Sequence, residues 1–306
     1  MKYGAHLPLI DFGNQGWRPG QLASYTDRAR ELGYGFISAN DHLVFQKPWL
    51  DGIVALASVI DRSDGMQLAT TLSLPVIRGP AALAKAAAAL DIVSGGRLVL
   101  GVGPGSSERD YESAGLSFDE RWPRFDESIR VLRAHLTTGA PRFEGRFYSA
   151  GPELEPRPMR PDGPPIWIGS WGSDAGLRRV ARLADGWLAS AYNLSPAQAN
   201  AARAKLGIEL AKRGRRLDGF PCSLATMWTY VTEDRRTRET HLSALARMLN
   251  RSAIELHGTV LVGSAEDCAA TLRAYADAGI DHVFVWPVAD AQEQLERIML
   301  DVAPLV

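Results

Sequence analysis

One local pattern occurs four times along this chain and limits the folds open to it. In each copy, a helical stretch rich in Ala and Leu stops at a Gly or an Asp, and a short, continuously apolar strand follows. Strands of that composition are buried on both faces, as in parallel sheets and unlike one-sided antiparallel sheets. The repeated succession of helix and strand predicts an α/β fold. The copies are TDRARELGYGFISAN, LAKAAAALDIVSGGRLVLGVG, LRRVARLADGWLAS and LRAYADAGIDHVFVWP.

Four further segments have the apolar composition of strands: YGAHLPL, MQLATTLSLP, PPIWIG and CSLATMWTYVT. The total of eight is the number that a (β/α)8 TIM barrel needs. The 306 residues would also fit two domains built on a doubly wound sheet, which is the alternative. Because no change of composition marks a linker, we expect a single barrel domain over residues 1–306.

Two insertion loops interrupt the repeated pattern. Residues 104–126 mix Ser, Glu, Arg, Tyr and Trp, a composition that suits the lining of a pocket as well as a solvated connector. Residues 139–165 are crowded with Pro and Gly, and a loop of that length in a compact domain usually has a function or covers something. The aromatic residues of the two loops favour an apolar or aromatic substrate, although such side chains are as often loop cores; they are Tyr111, Trp122, Phe143 and Tyr148.

The charge balance and the cysteine content indicate which kinds of molecule this chain can bind. The chain has 34 Lys and Arg against 35 Asp and Glu and no long basic run, which argues against nucleic acid or a membrane surface and favours a small organic molecule. Cys222 and Cys268 lie far apart without metal-ligand spacing, and no HxH, HExxH or GxSxG motif occurs. No signal peptide or run of about 18 apolar residues is evident. We therefore expect a cytoplasmic protein without a metal site.

Three polar residues end the second predicted strand, in the run GFISANDHLV. Asn40, Asp41 and His42 fall at the carboxyl end of that strand, where α/β barrels keep their chemistry. His42 can donate or accept a proton near neutral pH, and an adjacent carboxylate can tune it. We therefore take His42 and Asp41 as candidate catalytic residues, with Asn40 as a ligand for a polar ring. The structural alternative is that Asp41 caps the turn that follows and that His42 fills a gap in the packing.

Glycines and serines mark two further strand ends. Gly103 and Gly105, with Gly101 before them, do not have the GxGxxG spacing of a Rossmann loop, so they indicate close backbone approach to a flat ring or tight packing in the barrel. In IWIGSWGSDAGL a strand ends and a helix begins near Asp174, which favours an anion site for a cofactor phosphate or ordinary helix capping. Its candidate residues are Ser170, Trp171, Gly172 and Ser173.

Three other positions are weaker candidates. Gly263 and Ser264 open a helix in the same way, but the carboxylates of Glu266 and Asp267 follow and favour plain capping. His6 in the first strand and Trp286 in the last have the polarity and size of pocket residues, although such side chains more often belong to the core.

Taken together, these segments resemble the bacterial luciferase-like flavin oxidoreductase family, whose members are (β/α)8 barrels. The resemblance spans nearly the whole chain and is carried by ELGYGFISANDHL, by PPIWIGSWGSDAGLRRVARLADGWL and most specifically by LAKAAAALDIVSGGRLVLGVG. It implies a non-proline cis peptide bond at the third strand's end, within Thr71, Leu72 and Ser73, where these residues would support the cofactor ring. Pro104 stands where true luciferases have an Arg that helps to hold the flavin phosphate.

The resemblance implies an oxidoreductase, and the branch that uses deazaflavin coenzyme F-420 is the more similar. Its members transfer hydride to or from an organic substrate. An FMN-dependent monooxygenase that uses reduced flavin and oxygen is the alternative, and a barrel that binds cofactor without turnover is a second one. Family members often dimerise, so a homodimer is expected, and the amphipathic stretch within residues 234–259 would cover the barrel mouth or a partner.

Overall fold

Eight parallel strands form a closed barrel in the computed structural model, which describes residues 1–13, 15–151 and 154–306. Each barrel strand pairs in parallel with its neighbours, and the strand near the C-terminus pairs with the first strand to close the ring. This confirms the predicted (β/α)8 architecture. The barrel strands are β1 (Lys2–His6), β2 (Phe36–Ala39), β3 (Gln67–Thr70), β4 (Leu98–Val102), β7 (Ile166–Gly169), β8 (Gly186–Ser190), β9 (Cys222–Val231) and β11 (His282–Pro287).

The remaining strands are short and lie outside the ring: β5 (Phe143–Glu144), β6 (Ser149–Ala150) and β10 (Leu261–Gly263). Helices cover the outside of the barrel between successive strands, as the repeated sequence pattern predicts. They are α1 (Gln21–Glu31), α2 (Gly52–Ala57), α3 (Pro75–Arg78), α4 (Pro80–Val93), α5 (Glu108–Ser113), α6 (Arg121–Leu136), α7 (Asp174–Leu183), α8 (Pro196–Ala211), α9 (Arg235–Leu249), α10 (Ala253–Leu256), α11 (Ala265–Asp277) and α12 (Ala291–Arg297), which continues as a π-helix over Ile298–Val302.

The alternation of side chains along each strand divides the core into two clusters. In β2, Phe36 packs with residues of other strands inside the barrel, whereas Ile37 and Ala39 belong to the cluster between the barrel and its helices. Ser38 shares the inward face and its hydroxyl is 3.1 Å from Nδ1 of His6. Because this alternation continues past the end of each strand, it determines which of the following side chains point into the open carboxyl end of the barrel, here called the barrel mouth.

The two insertions have different structures. Residues 104–126 contain α5 and lead into α6, close to the barrel mouth. Residues 139–165 contain the β5–β6 hairpin, whose turn is held on α6 because the Glu127 carboxylate accepts the backbone N–H of Phe147 at 2.7 Å. Residues 152 and 153 of this insertion lie outside the described residues. Within the described part of the chain, every helix is too short or too polar to cross a membrane.

Candidate active site

A cavity of about 450 Å³ opens at the carboxyl ends of the barrel strands. Residues of the loops after β2, β3, β4, β7 and β8 line it together with residues of β7, β8, β9 and β11 themselves, so it occupies the position where barrel enzymes bind their ligands. Seven of the ten residues that the sequence suggested for cofactor binding belong to this lining, together with both catalytic candidates. Those nine residues are Asn40, Asp41, His42, Thr71, Leu72, Gly105, Ser170, Trp171 and Ser173.

His42 pairs with a carboxylate that the sequence analysis did not single out. Nδ1 of His42 lies 2.8 Å from Oδ2 of Asp110, and the other oxygen of Asp110 accepts the backbone N–H groups of Leu43 and Val44 at 3.0 and 2.8 Å. Burial alone would raise the pKa of Asp110, but the hydrogen bonds from His42 and Val44 outweigh it and hold that pKa below its ordinary value. Asp110 is therefore an anion that fixes the orientation of the imidazole and leaves Nε2 for a ligand.

Asp41 does not tune His42, which corrects the expectation from the sequence. Its carboxylate accepts two bonds from Arg78, with Nε at 2.7 Å and Nη2 at 2.5 Å, and the backbone N–H of Leu74 at 3.2 Å. Asp41 continues the outward face of Ile37 and Ala39, so it turns toward the β3–α4 connection while His42 turns toward α5. Asp41 thus holds the segment after β3, although it also lines the cavity.

The segment after β3 forms one wall of the cavity. The peptide bond between Thr71 and Leu72 is cis, within the three residues where the resemblance implied such a bond. Thr71 and Leu72 both line the cavity, whereas Ser73 bonds through its backbone to the strand end at Gly101 and Gly103. Gly103 is absent from the cavity lining, and a Cβ there would meet the Leu72 side chain, so the close approach at Gly103 is to Leu72.

Asn40 lies beside this wall. It continues the inward face of β2 and is 8% exposed, and its side chain interacts with the buried imidazole of His6. Asn40 also lines the cavity, so its amide can contact a ligand there.

The N-terminus of α7 forms another side of the cavity. Ser173 is the N-cap of this helix and accepts the backbone N–H of Gly176 at 3.2 Å, so capping is one of its roles. The Ser170 hydroxyl accepts the backbone N–H of Gly172 at 3.2 Å, and Trp171 is 55% exposed at the rim. Gly172 lies behind the cavity with a left-handed φ of 85°, which favours glycine at this turn. The carboxylate of Asp174 is paired with Lys205 at 2.9 Å, so its charge is offset.

The segment after β4 contributes Pro104, Gly105 and Ser106 to the cavity lining. Further along the chain it contributes two aromatic residues and one arginine. The guanidinium of Arg121 lies 3.9 Å from the ring centroid of Phe118, and Trp122 follows it at the rim. Of the aromatic residues proposed for the substrate, Trp122 lines the cavity. Tyr111 is fully buried as a loop core, and Phe143 and Tyr148 do not belong to the lining.

Several lining residues could not be singled out from the sequence. Trp49 follows β2 at a distance in the chain, Trp228 lies within β9, and Leu249 at the end of α9 shows that the stretch within residues 234–259 reaches the mouth. Trp286 lines the cavity as the sequence suggested. Alternation along β9 and β11 could have placed Trp228 and Trp286 inward, but only a known strand register makes that assignment firm.

His6 contributes to a second cavity and not to the first. This second cavity, of about 320 Å³, lies between the segment after β1 and the segment after β11, and it shares Trp228 and Trp286 with the first. His6 stacks on Trp286 with the ring centroids 3.6 Å apart, and burial lowers its pKa well below the ordinary value, so the imidazole is neutral. Ser264 serves as the N-cap of α11, which confirms plain capping there.

A closed βα barrel with a His–Asp pair and a deep cavity at the strand ends has the architecture of a barrel enzyme. The profile of the luciferase-like monooxygenase family matches residues 11–254, and the chain belongs to that family. It is 25% identical to a protein of Amycolatopsis mediterranei (strain U-32) described as an F420-dependent glucose-6-phosphate dehydrogenase, over 99% of this chain and 98% of the relative.

Solved structures support the same fold. A structure described as an F420-dependent secondary alcohol dehydrogenase in complex with an F420-acetone adduct superposes with a TM-score of 0.86 at 17% identity, over 100% of this chain and 98% of that one. The monooxygenase RslO1 from Streptomyces bottropensis gives a TM-score of 0.82 at 21% identity, over 99% of both chains.

Proposed function

We propose that this chain transfers hydride between deazaflavin coenzyme F-420 and a small organic substrate. The observation that carries the proposal is the His42–Asp110 pair in a cavity that also contains a helix N-terminus with two serines. A proton-transfer group and an anion site in one cavity suit a phosphate-bearing coenzyme and a substrate that exchanges a proton with the protein. The F420-dependent relative, aligned over nearly its whole length, supports the choice of coenzyme.

The lining fits a flat ring system that carries a phosphate. Thr71 and Leu72 would support one face of the ring, and the amide of Asn40 would contact the ring edge. Ser170 and Ser173 would bind the phosphate at the positive end of α7, with the backbone of Trp171 and Gly172 between them. Gly105 leaves room beside the ring.

The chain's own contribution to the reaction is proton transfer and shielding. A bound deazaflavin supplies a ring carbon that accepts or gives hydride. Because Asp110 occupies Nδ1 of His42, Nε2 exchanges the proton at the substrate oxygen. The aromatic side chains of the cavity exclude water from this step.

A titration with each coenzyme tests the proposal. The purified protein is titrated separately with coenzyme F-420 and FMN at equal protein concentration, and the ligand fluorescence is followed. We expect micromolar binding of the deazaflavin, at least about tenfold tighter than that of FMN. A reversed preference with stoichiometric oxygen uptake would support a monooxygenase, and binding without redox exchange against a broad substrate panel would support a non-catalytic barrel.

The single domain over residues 1–306, the homodimer and the cytoplasmic location remain predictions.

A further inference from the structure

Aromatic side chains form a continuous wall of the cavity that begins beside His42. This aromatic wall consists of Phe45, Trp49, Trp228 and Trp286, all of which line the cavity. The ring of Trp49 lies 4.7 Å from that of His42 and 6.4 Å from that of Trp286, which in turn lies 5.1 Å from Trp228. A substrate that reaches His42 therefore meets indole and phenyl surfaces, which bind apolar groups.

The same wall carries no positive charge. Among the described residues that line the cavity, Arg121 is the one arginine or lysine, and it begins α6, whereas the wall comes from the β2 loop, β9 and β11. Arg121 stacks on Phe118 and donates to its backbone carbonyl oxygen at 2.9 Å. The negative charge of Asp41 is matched by Arg78. A phosphorylated substrate would bury its charge at the wall without a partner, which is strongly unfavourable.

The indole nitrogens of the wall are enclosed by protein. The N–H groups of Trp49, Trp228 and Trp286 are buried and have no hydrogen-bond partner among the described residues. The wall therefore contacts a ligand through the carbon atoms of its rings, which favours an uncharged, apolar group.

From these three observations we propose that the substrate is an uncharged, largely apolar alcohol or the corresponding ketone, and not a sugar phosphate such as the name of the Amycolatopsis relative indicates. The proposal rests on the function proposed above. In the oxidative direction, the carbinol C–H bond breaks and its hydride leaves to the coenzyme, while the hydroxyl proton goes to Nε2 of His42. The alcohol loses two electrons and becomes the ketone, and the coenzyme gains them; the reverse direction reduces the ketone.

The alcohol 1-phenylethanol and its ketone acetophenone serve as model substrates, and their turnover and binding test the substrate class. The protein loaded with coenzyme F-420 is assayed with 1-phenylethanol and with glucose 6-phosphate by the loss of the oxidised coenzyme's absorbance. We expect kcat/KM for 1-phenylethanol to be at least about 100-fold higher. A higher value for glucose 6-phosphate would overturn the substrate class while leaving deazaflavin chemistry intact.

Binding of acetophenone without coenzyme, followed by quenching of tryptophan fluorescence, gives a separate readout. Trp228→Ala should raise the Kd of acetophenone about tenfold or more and leave the Kd of the coenzyme within about threefold. If the Trp228 variant fails to fold, Leu249→Arg at a half-buried position of the lining replaces it in the test, and it should likewise raise the Kd of acetophenone. The matched control is Ile254→Ala, at an exposed position outside both cavities.

Each outcome separates the two proposals. Acetophenone binding that depends on Trp228, in a protein that binds no deazaflavin, would support the substrate class and reject the proposed coenzyme. Acetophenone binding that is absent or unchanged by both variants would overturn the substrate class, as would tighter binding of benzyltrimethylammonium, since indole faces also attract cations.

Discussion

At the scale of single residues, proton transfer depends on which carboxylate His42 contacts. Asp110→Asn replaces the acceptor beside Nδ1 but keeps one oxygen for the backbone N–H groups of Leu43 and Val44. The imidazole would then lose the anion that fixes its tautomer, so we expect kcat to fall about 100-fold with the coenzyme Kd within about threefold. Steady-state kinetics and coenzyme titration measure both. Asp218→Asn, at a highly exposed position, is the matched control, and an unchanged kcat in Asp110→Asn would remove this pair from the mechanism.

Removal of the imidazole itself should have the larger effect. His42→Ala takes away the proton donor and acceptor but not the residues assigned to the ring and phosphate, so turnover is expected to fall about 100- to 1,000-fold while coenzyme affinity is retained. The exposed His257→Ala serves as control. A loss of coenzyme binding equal to the loss of turnover would assign His42 to binding and not to proton transfer.

The sequence predicted His42 but not its partner, and strand geometry explains why. Neighbouring residues at a strand end face opposite sides, so the adjacent Asp41 could not share the surroundings of His42. Asp110 lies 68 residues further along the chain, in α5 among other acidic residues, and only the closed barrel brings it to His42. The local sequence therefore predicts which residue types lie at the strand ends. Which side chains from different strands form pairs can be predicted only when the fold is known.

At the scale of elements, the Asp41–Arg78 pair joins the end of β2 to α3 and holds the wall after β3. Arg78 also contacts Asp51, the N-cap of α2, at 2.5 Å, so one guanidinium links three connections. Arg78→Ala would leave the carboxylate of Asp41, which is 7% exposed, without its cation. We expect a loss of about 3 kcal/mol in the free energy of unfolding, measured by urea denaturation.

Arg216→Ala is the matched control for this prediction. Arg216 pairs with Asp218 at 3.0 Å, but both side chains are more than 80% exposed, so removal of this pair should change stability by less than about 0.5 kcal/mol. Equal effects of the two substitutions would show that the Asp41–Arg78 pair does not hold the β2, α2 and α3 connections together.

Element prediction succeeded where the signal is local. All eight barrel strands lie in predicted apolar runs, and four of these runs follow a helix that stops at a Gly or an Asp; the runs are apolar because each strand is buried on both faces. The β5–β6 hairpin within residues 139–165 was expected only as a loop, since its strands have two residues each and depend on Glu127 of α6 to hold the turn. Contacts of that kind leave no periodicity in the sequence.

At the scale of the whole molecule, two histidines of the barrel strands make stability depend on pH. His282 begins β11 at the end of the barrel opposite the mouth, with Nδ1 3.0 Å from the Ser223 hydroxyl. Burial lowers its pKa to about 4; Asp281 opposes this shift, and Lys2 and the N-terminal amine add to it. Burial also lowers the pKa of His6. In both cases the unfolded chain binds more protons, so stability rises with pH up to the ordinary histidine value.

His282→Gln tests this dependence, because glutamine can still bond to Ser223 but does not titrate. The wild-type free energy of unfolding should rise between pH 4 and about 6.5 and then level off, and the variant should lose on the order of 3 kcal/mol of that rise. Urea denaturation across this range measures both curves, and Ile254→Ala, which adds and removes no titrating group, should keep the wild-type slope. Parallel curves for His282→Gln and wild type would mean that protonation of His282 does not oppose folding and that the pH dependence arises elsewhere in the barrel.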